Sequence, residues 1–323
     1  MSVPLSDNRM KFGVLLPTRE AVMSGRADPS ILYQMAERAE TLGFHSVWVG
    51  DSLTARPRID ALTILAAVGA RTSRVRLGTA IFLAALRNPI LLAYQLASLD
   101  WMTGGRVDFG IGFGRRGEPS QEHEFKILGL DPGARIKMSE EAVDIMRRLW
   151  RENDVAYDGA FARFEHVTLE PKPAQPGGVP IWLASNDVEA GLRRVGRMAD
   201  AWINNIKSPD TYRVCWEKIR AYASEAGRDP DTIQPGAYFT LAAGDNRAID
   251  EGQRFLAEYY NRSYEAIVRA MLCVTGSWDE VVNRLEAFRA AGARSAVLRF
   301  AARDQLSQLE ACAEALKRRR LLD

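Results

Sequence analysis

Apolar positions along the chain alternate between two periodicities. Short runs rich in β-branched and aromatic residues, at 11–17, 46–51, 75–82, 106–111, 181–184, 201–204, 236–243 and 295–300, read as eight buried strands. Between them, apolar residues recur at helical spacing. In 31–42, Leu32, Met35, Ala36 and Ala39 share one face and Gly43 stops the helix. Further helices are predicted over 60–72, 89–99 (opened by Pro89), 136–150, 188–198, 209–226, 278–291 and 305–320, with an interrupted one over 248–271. A polar segment covers 112–134, a small hairpin is predicted at 154–169, and a proline- and glycine-rich stretch at 171–180 leads to the fifth strand.

Strands that are apolar throughout, each followed by a helix, are parallel strands covered on both faces. Eight such units close into a (β/α)8 TIM barrel, an α/β fold, with an open doubly wound sheet as the competing arrangement. The additional material follows mainly strands four and seven, so the expected insertions lie at the C-terminal rim, where such barrels build their sites. With no linker in evidence, residues 1–323 read as one domain.

Composition narrows the function. The chain carries 43 Lys and Arg against 41 Asp and Glu, a net charge of +2. So even a mixture offers no concentrated basic face for nucleic acid or for a membrane surface. Cys215, Cys273 and Cys312 lie far apart and suggest reduced, buried thiols, with no metal site. Residues 1–10 lack the cationic start and apolar core of a signal peptide, no apolar run is long enough to span a bilayer, and the chain reads as cytoplasmic.

Three stretches carry candidate chemistry. Gly112, Gly114 and Gly117 satisfy a GxGxxG pattern after a strand, but Glu118, Pro119 and a polar loop follow where a dinucleotide fold needs a helix. Either these glycines are a plain exit from a barrel strand, or they let a flat ligand lie against the backbone. Ala184, Ser185 and Asn186 lie between a strand and a helix, where free amides and a hydroxyl suit a phosphate. The alternative there is a helix N-cap by Ser185, Asn186 or Asp187. Of the histidines, His45 precedes a strand and reads as structural, His166 falls in the hairpin and reads as surface, and His123, after strand four, is a candidate acid or base. Arg299, near the end of strand eight, can meet an anionic group or form an ion pair within the barrel. The basic tail 317–320 reads as a solvated helix end.

The ordered runs at 87–89, 93–100 (AYQLASLD), 103–107 (TGGRV) and 109–112 (FGIG), followed by Glu124-Phe125, Leu128-Gly129, Glu141, Leu149-Trp150, PKP at 171–173, PIW at 180–182, Arg193-Arg194 and ADAW at 199–202, resemble the bacterial luciferase-like superfamily across essentially the whole chain. The resemblance implies a (β/α)8 barrel that binds reduced FMN or coenzyme F420. It implies a non-proline cis bulge under the ring, carried here to Thr79, Ala80 and Ile81. It assigns the phosphate to the turn Ala184, Ser185 and Asn186; many F420 members have two glycines at that turn, which tilts the reading toward FMN. It also implies a homodimer.

The acid/base positions depart from the family pattern. Many members carry Asp-His or Glu-His after strand two, and this chain has Asp51-Ser52. Many F420 dehydrogenases have a glutamate after strand four, where Arg115 and Arg116 stand here. Asp51 is a candidate to hydrogen-bond the flavin edge or to orient Ser52, with a plain rim carboxylate as the alternative. Phe113 and Arg299 are candidates for substrate contact, and Phe82 and Phe113 for an apolar, water-excluding rim. The leading expectation is monooxygenation of a small organic substrate with reduced FMN from a separate reductase, the protein supplying orientation and a dry site. The alternatives are F420-dependent hydride transfer, with its own F420 reductase, and non-catalytic flavin binding.

Overall fold

The computed structural model describes residues 9–115 and 117–323. Most of the N-terminal segment read as lacking a signal peptide, and Arg116 of the glycine loop, lie outside the described residues. The strands are β1 (Lys11–Leu15), β2 (Ser46–Val49), β3 (Arg76–Thr79), β4 (Val107–Ile111), β5 (Val155–Asp158), β6 (Arg163–Val167), β7 (Ile181–Ala184), β8 (Ala201–Ile203), β9 (Gln234–Ala243), β10 (Cys273–Gly276) and β11 (Ser295–Phe300). Eight of them follow the order β9-β11-β1-β2-β3-β4-β7-β8, and β8 pairs back onto β9. The sheet is therefore a closed parallel barrel with helices around it, the (β/α)8 fold that the strand pattern predicts. Closure removes the open-sheet alternative.

Ten-residue β9 is long enough to serve three neighbours. Its first residues pair with β8 (Ala201 opposite Gln234) and its last four with β10 (Cys273 opposite Thr240), while β11 runs along its other edge. The sequence pattern missed β10. The interrupted helix expected over 248–271 is two helices, Asn246–Tyr260 and Tyr264–Ala270, separated where Asn261 takes a left-handed conformation at φ 49°. Asparagine tolerates that region better than most residues, and Ser263 then caps the second helix. Another difference lies in the polar segment 112–134, which contains the helix Pro119–Ile127. Its low apolar content hid it, because only Glu124 and Phe125 are buried. The hairpin forms as expected from β5 and β6, antiparallel.

By internal contacts the chain divides into two compact units, each assembled from separated segments. One comprises residues 1–16, 33–48 and 183–323, the other 17–32 and 49–182. In the first unit an aromatic cluster joins strands to helices: Trp202 stacks on Tyr212 at 4.8 Å, and Phe288 meets Phe239 edge-on at 5.0 Å. Close approach at β1 depends on Gly13, where a Cβ would lie 2.4 Å from the Trp48 indole nitrogen. No helix among the described residues is long and apolar enough to cross a membrane.

In the second unit a buried polar network ties the starts of β3 and β4 together. The Asp100 carboxylate, fully buried, accepts from the backbone N–H of Val107 (3.2 Å) and Gln175 (3.0 Å) and from the Gln175 side-chain amide (2.8 Å). Arg76 bridges Gln175 and Asp108. Because this network lies at the N-terminal ends of the strands, it serves stability rather than chemistry. Asp100→Ala leaves two buried backbone donors and one amide without an acceptor, and should lower unfolding free energy by about 3 kcal/mol. The check is the urea midpoint of the variant against the parent.

Candidate active site

In the second unit the C-terminal ends of β2, β3 and β4 are laced together by backbone hydrogen bonds. The Ala80–Ile81 peptide bond is cis, at the position the family resemblance gave. Ala80 donates to the Val49 carbonyl (2.7 Å), and Asp51 donates to the Ile81 carbonyl (3.1 Å). Phe82 donates to Gly110 (2.7 Å), and Gly112 donates back to Phe82 (3.0 Å). The bulge is thus held on both sides by neighbouring strands.

Several expectations change here. A Cβ on Gly112 would lie 2.2 Å from Ile81 Cδ1, so the space above this glycine is filled by a protein side chain rather than left for a flat ligand. Gly114 serves a different need, a positive φ of 67° in the loop that follows. Thr79 is buried, and its hydroxyl donates to the Gly110 carbonyl while accepting from the Gly110 N–H, both at 2.9 Å; its side chain is committed to backbone. Phe82 belongs to the core, 1% exposed and packed on Phe109 at 5.2 Å, so it is not a rim residue. Phe113 is partly exposed in the loop after β4.

Asp51 neither orients Ser52 nor stands as a plain rim carboxylate. Its side chain is 2% exposed and is gripped by both arms of Arg87 (2.7 and 2.8 Å) and by the Leu83 N–H (3.0 Å). Arg87 in turn lies 4.3 Å over the Phe82 ring. Ser52 is positioned instead by Glu124, a residue that its motif marked but to which no role had been given. Glu124 Oε1 accepts from Ser52 Oγ (2.8 Å) and from the N–H groups of Thr54 (2.6 Å) and Ala55 (2.9 Å). Glu124 is fully buried, and its Oε2 has no hydrogen-bond partner. The sequence signal was a lone acidic residue on the inward face of a short polar helix, beside Phe125. His123, one position earlier, is exposed on that helix.

In the first unit the turn after β7 is partly exposed at Ser185 and exposed at Asn186. The helix Glu189–Met198 begins at Val188 without a side-chain cap, so Ser185, Asn186 and Asp187 are not its N-cap. Ser185 Oγ lies over Gly191, where a Cβ would come within 2.1 Å of it. Its backbone is held by Ile203 (3.1 Å) and by the Trp202 indole (2.7 Å), while Asn186 Oδ1 accepts from the Asn205 N–H (3.1 Å). A hydroxyl placed beside uncapped first-turn amides is suited to a phosphate dianion. Arg299, 3% exposed, donates to Tyr260 Oη (2.7 Å) and lies 4.0 Å over the Tyr259 ring. Burial pushes the Cys273 thiol up to about 11, with Arg299 pulling it partly back. Among the described residues no group of His, Cys, Asp and Glu is arranged to hold a metal ion.

The family model for luciferase-like monooxygenases matches residues 10–295, and the chain belongs to that family. Its members are oxidoreductases. Among curated proteins the chain is 36% identical over 152 residues to an uncharacterized protein of Mycobacterium tuberculosis, covering 47% of this chain and 52% of that one; the match thus spans about half of that relative. It is 31% identical over 265 residues to a phthiodiolone/phenolphthiodiolone dimycocerosates ketoreductase of Mycobacterium tuberculosis, covering 74% of this chain and 67% of the relative. The solved structure of an F420-dependent secondary alcohol dehydrogenase in complex with an F420-acetone adduct superposes with a TM-score of 0.82 at 22% identity, over 96% of this chain and 98% of that one. At that identity the likeness establishes the fold alone.

Asp51→Asn halves the acceptor capacity facing Arg87 and leaves its half-buried guanidinium with only the more distant, exposed Asp60 (3.8 Å) as counter-charge. Loss of about 3 kcal/mol is expected, read from denaturant unfolding, because breaking one side of a buried pair strands the other.

Proposed function

We propose that this chain transfers hydride between a reduced deazaflavin or flavin and the carbonyl or secondary alcohol of a small organic substrate. The observation that carries the reading is the Ser52–Glu124 pair at the end of β2, where many family members place a histidine. In the oxidative direction Ser52 Oγ takes the substrate hydroxyl proton and passes its own to Glu124 Oε1; reduction reverses both transfers. Thr54 and Ala55 keep the carboxylate in place by donating to it. The ketoreductase relative supports the same substrate chemistry.

The cofactor fits the residues present. In the first unit Ser185, with Ala184 and Asn186 in the same turn, would take a phosphate at the uncapped helix; in the second unit the Ala80–Ile81 bulge, with Gly112 behind Ile81, is the candidate rest for a ring, and Gly114 is a candidate in the loop that follows. When bound, the cofactor accepts or gives the hydride. Phe113 in the second unit and Arg299 in the first are the candidates for substrate contact. Asp51 acts as a positioning residue, holding the bulge through Leu83, and His123 stays outside the chemistry.

A second reading is monooxygenation with reduced FMN from a separate reductase. It is favoured by the exposed positions of His123 and His166, since shielding rather than an imidazole acid is what that chemistry asks of the protein. Anaerobic titration with F420 and with reduced FMN, followed by turnover of a ketone or secondary-alcohol panel, separates the two. The hydride reading expects F420 to change oxidation state without oxygen and Ser52→Ala to lower kcat about 100-fold with cofactor Kd unchanged. Oxygen uptake coupled to substrate, with no F420 turnover, would establish the second reading instead. Tight cofactor retention with no turnover of any compound would leave only flavin binding.

The partner reading is a homodimer. The helix Pro89–Met102 exposes Leu91, Tyr94, Trp101 and Met102 alongside the uncharged Gln95. A second copy presents the same uncharged stripe and covers it. Leu91→Glu with Trp101→Glu should convert the dimer to a monomer by sedimentation; a parent already monomeric at micromolar concentration would defeat this reading.

A further inference from the structure

We infer that Arg58 reads an oxyanion on the organic substrate, so that the substrate class is a carboxylate- or phosphate-bearing carbonyl compound or alcohol. The inference rests on the hydride-transfer reading and adds its specificity. Arg58 lies in the loop between β2 and the helix Ala61–Arg71, partly buried. Its Nε donates to the Arg56 carbonyl two residues back (3.2 Å), which folds the side chain over the end of β2. There Nη1 occupies the place of a missing side chain: a Cβ on Gly50 would lie 2.1 Å from it. The Ala80 carbonyl of the cis bulge is 3.7 Å from that same point. The guanidinium therefore stands beside the bulge, and Gly50 is the residue that admits it.

Among the described residues no acceptor meets its outer nitrogens, and the nearby acids are engaged elsewhere. Asp51 is taken by Arg87 and the Leu83 N–H. Asp60 accepts from the Thr63 N–H (2.9 Å) and hydroxyl (2.8 Å) at the start of the following helix, with Arg87 at 3.8 Å. Glu124 Oε1 is filled by Ser52, Thr54 and Ala55. A partly buried guanidinium pinned at Nε, with a planar pair of N–H groups open, is pre-set for a two-oxygen acceptor. Ser52, the proposed proton-transfer hydroxyl, lies six residues earlier in the same loop. An anion on Arg58 thus orients a substrate by a group other than the one that reacts.

The cofactor also carries oxyanions, so the test separates the two sources. The probes are benzoate against benzamide and hexanoate against hexanamide, titrated calorimetrically into the full-length protein with and without F420 or FMN. The parent should bind at least one carboxylate 10-fold or more tightly than its amide, with the preference shrinking as sodium chloride rises. Arg58→Gln should abolish the preference and leave F420 and FMN affinity within twofold. Arg58→Lys should keep part of it. Gly50→Ala should lose it with the arginine still present, because its Cβ displaces Nη1. The inference is overturned if the parent shows no preference in either pair, if Arg58→Gln keeps it, or if that variant loses cofactor affinity instead. Should neither cofactor bind the parent, the redox reading fails while the carboxylate preference still decides the role of Arg58.

Discussion

The buried carboxylate of Asp51 is the interaction on which the described half of the site depends. It follows β2 by two residues, and it fastens the segment after β3 by binding the Leu83 N–H and both arms of Arg87. Its own N–H holds the Ile81 carbonyl. One residue thereby fixes the exits of two strands, and the bulge between them is pinned by backbone groups of the neighbouring strands. Ile81 then fills the space over Gly112, and the strand ends form a single surface. An ion pair of this kind costs much of its Coulomb attraction in desolvation, so what it contributes is position more than net stability.

A division of labour follows from that constraint. Asp51 is spent on Arg87 and the Leu83 N–H, and Thr79 on the Gly110 backbone. Around the loop after β2, among the described residues, Glu124 Oε2 and the outer nitrogens of Arg58 are without a partner, while Ser52 Oγ donates to Glu124 and accepts from the Arg56 N–H. All three are organised by the loop after β2, whose shape Glu124 sets from a distant helix. The phosphate turn at Ser185 uses a different device, an uncapped helix start with a hydroxyl laid over a glycine. Rigid elements thus hold the cis bulge and the turn at Ser185, and a loop clamped by one buried acid carries Ser52 and Arg58.

Much of this was legible in the chain, for reasons that differ by feature. The eight barrel strands were visible because strands buried on both faces are apolar throughout, and parallel order follows when helices separate them. The turn at 184–186 could be found because its residue types and its place before a helix are local. Strand β10 was hidden because four residues, Cys273 to Gly276, carry no periodicity. The helix Pro119–Ile127 was hidden because a helix with a narrow buried face is polar by composition. The cis bond at Ala80–Ile81 has no local signature and was reached only through resemblance.

The sequence by itself determined the order of elements and the closed parallel fold, because both depend on hydrophobic period and on which residues start and stop helices. It also determined the family, through motifs spread over the whole length. Tertiary structure alone decided which polar residues are spent and which are free. Ser52 and Glu124 are 72 positions apart, and Asp51 and Arg87 are 36 apart. A carboxylate's role depends on the donors folding brings to it, and neither residue type nor spacing encodes that.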